Sequence, residues 1–486
     1  MVDQQGHPVS KDYTKNVKYL KDELGVGISF DIIFVELNYA NRNMSLFLVD
    51  GMTQGNIMHF IMKLLAKLDA GDLEPDPLDK LMKKYLPYVE INTETNLDKV
   101  IFWITSGPAA LVVEGLDKVI IIDARTYPAR NPQEPDVERV VRGARDGFVE
   151  TIVFNTALTR RRIRDPSLRM SYMSVGRRSK TDICIAYIED IANPDVVKQI
   201  KHSISKIDTD GLPMGEKTVE EFIAGRHYNP YPTVRFTERP DTAAAHLYEG
   251  HVLVYVDGSP VVLITPSTLW NQLQHAEDYR QKPVIGSYLR IVRYLAVWLS
   301  IFFLPLWYLL ATDPTLLHHN YSFITINKHL DLPVFVQLLI VEVGLDTLRM
   351  ATIHTPTSLG TALGLVAAIM IGQIAVGVGL FASEVVLYMS IAAIGTFATP
   401  TYELSLANRL FRVLMLILTA LFHVPGYWFG FFFVFVYLTS LKSFYVPYLW
   451  PFLPFSFKSM RDVLFRTPLP LKNRRPVALG TKDPDI

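Results

Sequence analysis

The sequence predicts a soluble α/β N-terminal region of two subdomains followed by an α-helical, multi-pass transmembrane domain of four to six segments. Three observations predict it. About the first 280 residues alternate short apolar runs, turn residues and stretches of helical period. From about residue 288 onward, long apolar stretches take over. Lys and Arg gather at the two ends of that apolar half and are sparse in its first loop. The division that follows is 1–133 for the first subdomain and 134–285 for the second. Residues 286–445 make the transmembrane domain, and 446–486 a basic cytoplasmic tail.

In the first subdomain FDIIFVEL and MSLFLVD flank the turn ANRN and read as a hairpin, IMHFIMKLLAKL has a helical period, and ALVVEG with KVIIIDA forms a second hairpin. The second subdomain is expected to open with a helix over PDVERVVRGARDGFVETIVFNTALTRRRIRD. Strands RMSYMSV and DICIAYI follow, then a helix near PDVVKQIKHSISKI. It closes with the hairpin HVLVYV-DGSP-VVLIT, where Asp257 and Gly258 fall at the positive-φ positions that tight hairpins favour. Both units end in a hairpin after an acid–glycine pair, Glu114-Gly115 and Glu249-Gly250, which hints at an internal repeat.

The apolar half begins with LRIVRYLAVWLSIFFLPLWYLLA, about one bilayer's worth of helix at ~20 residues per span. VFVQLLIVEVGLDTLRMATI, TALGLVAAIMIGQIAVGVGLF and VVLYMSIAAIGTFAT follow. The last run, LFRVLMLILTALFHVPGYWFGFFFVFVYLTSL, is long for one span and interrupted at Pro425-Gly426, so it is either a kinked helix or a tight pair of short spans. Arg290 and Arg293 open the first span, the next loop holds only Lys328, and after Leu441 eight Lys or Arg face three acids. Both ends are therefore expected on the cytoplasmic side, which requires an even number of crossings. Six crossings place Arg349, His354, Arg409 and Arg412 inside; four leave 334–353 re-entrant or interfacial.

Composition narrows the function. Net charge is zero, with 48 basic and 48 acidic residues, so global charge selects no partner. One cysteine, Cys184, rules out an intrachain disulfide framework and reads as a small core residue. Walker A, HExxH and GxSxG motifs and Cys/His metal spacings are missing, so no enzyme, cofactor or metal is expected. The pair His318-His319 lacks nearby acids or cysteines and reads as solvated. From Glu138 to Lys180 eleven Lys or Arg stand against four acids, a band that reads either as a solvated face or as a surface for anionic lipid or an acidic subunit. Little aromatic interleaving accompanies it, so nucleic acid is not an expected partner.

Two segments carry candidate function. Glu342, Asp346 and Arg349 are spaced i, i+4, i+7 in an otherwise apolar stretch and share one helical stripe. Ionisable groups at membrane depth are costly unless paired, and they mark sites by default. Asp346 and Arg349 are spaced to pair locally, which leaves Glu342 for a neighbouring helix, a subunit or a cation. The Gly-rich segment (Gly360, Gly364, Gly372, Gly377, Gly379) allows close helix approach. The sharper reading makes it a pore helix whose shared face is Ala362, Val366, Ile369, Gln373 and Val376, able to gate by dewetting.

The runs EPDVERVVRGARDGFVE, NTALTRRRIRDPSLR, EGHVLVYVDGSPVVLITP and EDYRQKPVIGSYLRIVRYLA occur in an order that resembles the GerA family of spore germination proteins, A-subunit type. The resemblance covers about residues 15 to 470, and its motif positions fall on Glu138, Arg142, Gly143, Arg145, Gly147 and Phe148. Nutrient-receptor members commonly read like E-xx-REAGLRLP where this chain has EVGLDTLRMATIHTP. The family acid and arginine fall on Glu342 and Arg349, while Met350-Ala351 replaces the second acid. That version looks like the stage V sporulation AF branch. The resemblance implies a multi-pass protein of the spore inner membrane, both termini toward the spore core, that promotes or amplifies germination. It also implies assembly into a ring-like homo-oligomer with another germination membrane protein, forming a cation channel. The alternative is a non-conducting scaffold that sensitises other germination proteins.

Overall fold

A computed structural model describes residues 6–86, 88, 90–126, 142–225, 227–316, 324–326, 332–354, 369–472 and 474–485. Two antiparallel five-stranded sheets organise the N-terminal half. The first holds β1 (Ile32–Tyr39), β2 (Arg42–Val49), β3 (Ile91–Glu94), β4 (Ala109–Val113) and β5 (Val119–Ile122) in the order β1-β2-β4-β5-β3. The second holds β6 (Leu168–Val175), β7 (Thr181–Ile188), β8 (Arg235–Thr237), β9 (Val252–Val256) and β10 (Val262–Thr265) in the order β6-β7-β9-β10-β8. Counted within each unit, both orders are 1-2-4-5-3.

The helices repeat with them. Helices α1 (Tyr13–Leu24), α2 (Gly55–Leu65) and α3 (Leu97–Thr105) precede strands one, three and four of the first unit. In the second unit those places are taken by α4 (Ile152–Arg162), α5 (Pro194–Ser205) with α6 (Glu216–Ala224), and α7 (Pro240–Glu249). The two acid–glycine pairs thus belong to a duplicated architecture, although Glu114-Gly115 lies in the β4–β5 turn and Glu249-Gly250 closes α7.

Both sheets are covered on both faces, so alternate residues of one strand enter different cores. Ala110 and Val112 join Phe47 and Ile121 under α1 and α3, while Ala109, Leu111 and Val113 join Leu46 and Ile120 under α2. Cys184 and Tyr255 lie on one face of the second sheet, Ile183 and Val254 on the other. Double burial explains why AALVV and VLVYV are unbroken apolar runs with no polar alternation. The β1–β2 turn takes Ala40 and Asn41 to positive φ, as its length requires. In the closing turn Gly258 alone does so (φ +84), and the expectation for Asp257 is corrected: its carboxylate instead caps α4, accepting the Ile152 N–H at 3.1 Å.

The long helix expected from Pro135 is also corrected. Residues 142–150 are irregular and α4 starts only at Ile152. Gly143 (φ +139) and Gly147 break the helical pattern that the apolar and basic spacing suggested. Much of the basic band is consumed internally. Arg160, 1% exposed, clamps Asp31 of the other subdomain at 2.9 and 3.2 Å and takes the Leu168 carbonyl, while Arg162 pairs with Asp146 and Arg169 with Glu189.

The C-terminal half contains α8 (Pro283–Thr312), α9 (Val334–His354), α10 (Ser383–Phe397), α11 (Tyr402–Ser440) and α12 (Phe457–Leu464). Among the described residues α8 and α11 are long and apolar enough to cross a membrane; α10 is apolar but shorter. The alternative left open for the last run resolves as a fold-back. As one straight helix the 39 residues of α11 would put Phe411 and Tyr437 about 39 Å apart. Their rings instead lie 5.4 Å apart, and a non-helical His423 (φ 52, ψ −131) marks the reversal. Gly426 permits it, since a Cβ there would lie 2.0 Å from the Leu418 carbonyl oxygen. The terminal residues return to the second unit: Lys482 N–H donates to the Ile191 carbonyl beyond β7 and Arg475 Nε to the Tyr248 carbonyl of α7.

Candidate functional site

The charged stripe of α9 meets two arginines of α11. Glu342 is 3% exposed, and its Oε1 accepts from Arg412 Nη2 at 2.5 Å. Arg412, 2% exposed, also donates through Nη1 to the Ser300 carbonyl of α8 at 2.8 Å and to the Thr396 hydroxyl of α10 at 3.0 Å. One side chain thereby ties four helices together. Arg409, one turn earlier, brings Nε to 3.7 Å from Glu342 and pairs with Asp346. The Arg349 guanidinium lies 4.6 Å from the centroid of the Tyr402 ring and 5.9 Å from that of Phe397, both attractive cation–π distances.

Of the partners expected for Glu342, this geometry shows the neighbouring helix, through Arg412 and Arg409. Asp346 is drawn across to Arg409, and Glu342 is held by two guanidinium groups. Two carboxylates and three guanidinium groups make the cluster formally +1, packed where an unpaired charge would be very costly. In the sequence Arg409 and Arg412 serve only as orientation markers. The signal that could have found them was their i, i+3 spacing inside an apolar run, which puts both on one face of the helix.

Of the expected pore face, Ala362 and Val366 lie outside the described residues. Ile369 and Gln373 are exposed, whereas Val376 packs against the apolar cluster of α8, α9 and α10. A π-helical turn over Met370–Ile374 separates them. Its extra residue rotates everything beyond it, so positions chosen on α-helical spacing no longer share one face. His318-His319 is outside the described residues as well. Among the described residues no group of three or more His, Cys, Asp or Glu is placed to hold a metal ion.

The motif segment 142–150 serves as a strap. Glu138 is outside the described residues, and Arg142 and Arg145 are exposed. Gly143 lets the Arg280 guanidinium lie against its Cα, where a Cβ would clash. Fully buried Arg239 takes the Ala144 carbonyl at 3.0 Å and holds Asp241 at 3.1 and 2.9 Å; Arg280, just before α8, also pairs with Asp241. Burial pushes the Asp241 carboxyl up, but hydrogen bonding and charge from Arg239 and the Arg280 charge hold it below the usual carboxylate range. Phe148 is 1% exposed, edge-on to Tyr255 at 5.7 Å, and buried Gly147 sits beside it. The motif therefore fastens the second sheet to the segment that enters the membrane half.

Residues 18–478 match the family model described as Bacillus/Clostridium GerA spore germination protein. The chain is similar to stage V sporulation protein AF of Bacillus subtilis (strain 168), with 48% identity over 98% of this chain and 96% of that protein. It is 31% identical to spore germination protein KA of the same strain, over 98% of this chain and 88% of that one. With spore germination protein A1, also of that strain, it shares 32% identity over 87% of each. The crystal structure of the N-terminal domain of the A subunit of the Bacillus megaterium spore germinant receptor GerK3 aligns over 55% of this chain and 99% of that one, at 26% identity and a TM-score of 0.44.

Proposed function

This chain belongs to the GerA family of spore germination proteins, and from that premise we propose that it is a subunit of an oligomeric cation channel in the spore inner membrane that promotes or amplifies germination. In this reading residues 1–133 and 134–285 face the spore core, 286–445 cross the membrane several times, and 446–486 return to the core side. The chain forms a homo-oligomeric ring with another germination membrane protein and catalyses no reaction. Several crossings are supported by the fold-back of α11, whose two limbs each approach the ~30 Å hydrocarbon thickness.

The observation that carries the reading is the exposure of Ile369 and Gln373 at the described end of the Gly-rich segment. In a ring, copies of that face meet around an axis and form a narrow, mostly apolar constriction. Glu342, Asp346 and Arg349 then hold the neighbouring helix in place through Arg409 and Arg412, and Glu342 is a lock more than an ion ligand. That neutralisation also favours the second reading, a non-conducting scaffold whose charge cluster is purely structural.

Ion flux separates the two. Purified protein, alone and with its candidate membrane partner, is sealed in liposomes under a potassium gradient. Flux that Gln373→Leu or Val366→Asn alters establishes conduction and locates the pore. Intact oligomers with no flux in either preparation leave the scaffold.

A further inference from the structure

A cavity of about 160 Å³ lies away from the charge cluster, where the start of α8, helix α12 and the returning C-terminal segment meet the end of α7. Five cationic side chains line it: Arg290, Lys458, Lys472, Arg474 and Arg475. Its two acids are already engaged. Glu249 accepts from Lys472 at 2.6 Å; Asp462 accepts the Thr467 hydroxyl at 2.6 Å and lies 3.5 Å from Arg461. Arg475 pairs with Asp483 at 2.8 Å.

Among the described residues three cations lack a carboxylate within hydrogen-bond distance, although Arg290 also lies 4.8 Å from the centroid of the Tyr279 ring. Arg290 is only 1% exposed; its Nη1 donates to the carbonyls of Asp462 and Val463 at 3.1 and 3.3 Å. Its Nε and Nη2 have no hydrogen-bond partner among the described residues. Asp278 stands 3.6 Å from Nε, but both of its oxygens are taken by Arg293 at 2.6 and 2.8 Å. Lys458 is exposed, with no acid at ion-pair distance among the described residues, and Arg474 lies 3.9 Å from an exposed Asp485. A buried guanidinium with idle donors is expensive, and it is stabilised by an anion that accepts from several directions at once.

We propose that this cavity binds a phosphate group, supplied by the headgroup of an anionic phospholipid in the leaflet around the start of α8. Phosphate fits better than a carboxylate because donors approach from three separate elements, with the Ser456 and Ser459 hydroxyls beside them. Lipid fits as its source because the surroundings are apolar. Ser456 is flanked by Phe455 and Phe457, 65% and 76% exposed, and the first turns of α8 expose Val284 and Tyr288. Aromatic side chains gather at headgroup level, and cationic clusters just inside a membrane attract anionic lipid. The site rests on the membrane placement of α8 and is independent of whether the chain conducts.

Native mass spectrometry of the full-length protein from neutral detergent tests it, with short-chain phosphatidylglycerol, short-chain phosphatidylcholine and inorganic phosphate as probes. One phosphatidylglycerol per chain is expected, with no phosphatidylcholine retained and release by millimolar phosphate. The exposed pair Lys458→Gln/Arg474→Gln leaves the fold intact and is expected to lower occupancy at least tenfold; Arg290→Lys is expected to do the same where its unfolding profile matches the parent. Phosphate binding without phosphatidylglycerol binding, lost in the same variants, keeps the phosphate site and overturns the lipid source. No binding of either probe, or parental occupancy in Lys458→Gln/Arg474→Gln, overturns the site.

Discussion

Removing one member of the Glu342–Arg412 pair is the sharpest perturbation of the membrane half. In Arg412→Leu the variant loses bonds to Glu342, to the Ser300 carbonyl and to the Thr396 hydroxyl. Thr396 keeps its own bond to the Ala392 carbonyl, so the chief damage is a carboxylate, 3% exposed, left to Arg409 at 3.7 Å. Breaking a buried pair from one side costs about 3–5 kcal/mol. Glu342→Gln is milder, because the amide oxygen still accepts from Arg412; loss of the charge-assisted part of that bond costs about 2 kcal/mol. The double variant Glu342→Leu/Arg412→Leu removes both charges, fills the space with apolar atoms and leaves Arg409 with Asp346. It is expected within about 1 kcal/mol of the parent. Equilibrium unfolding of these variants and of Glu342→Leu alone, in mixed micelles and followed by tryptophan fluorescence, closes the cycle and is expected to give a coupling of at least ~2 kcal/mol. Single losses below about 1 kcal/mol that simply add in the double variant would refute the four-helix tie.

Three further outcomes follow from the same structure. Gly426→Val places a side chain against the Leu418 carbonyl oxygen and is expected to cost about 1–3 kcal/mol and open the α11 fold-back, read as lost cross-linking between cysteines placed at Phe411 and Tyr437. Asp31→Asn leaves Arg160 buried opposite a neutral group and is expected to cost about 3 kcal/mol, read as a lower unfolding midpoint and faster proteolysis between the sheets. The soluble half is expected to be acid-sensitive: burial pushes His251 down to about 4, so the unfolded state binds more protons between pH 6.5 and 4 and stability falls as pH falls through that window. Its full loss is worth about 3 kcal/mol. Glu249 adds to this below pH 4.5: burial pushes it up, but the charges of Lys472, His246 and His251 and the Lys472 hydrogen bond together hold it at about 2. His251→Asn should lessen the slope of the thermal-unfolding profile from pH 7 to 4, leaving the part due to buried His246, whose imidazole is also pushed well down by burial, and an unchanged profile would count against the assignment.

The sequence by itself determined the elements whose causes are local. Period-two and unbroken apolar runs marked most strands of both sheets, length and apolarity marked α8, and the run EPDVERVVRGARDGFVE marked the family. It also placed Glu342, Asp346 and Arg349 on one stripe, because helical spacing is a property of the chain alone. Tertiary structure decided whom each charge meets. Arg412 lies 70 residues from Glu342 and Arg160 lies 129 from Asp31, and nothing in local spacing encodes such pairs. It likewise decided that α11 folds back at His423, where a proline and a glycine permit either a kink or a reversal and the packing of one limb on the other, through Phe411, Met415, Tyr427 and Val434, chooses. Buried charge is the common reason: the penalty for leaving Glu342 or Asp31 unpaired is set by the whole packed interior, so its partner can come from anywhere in the chain.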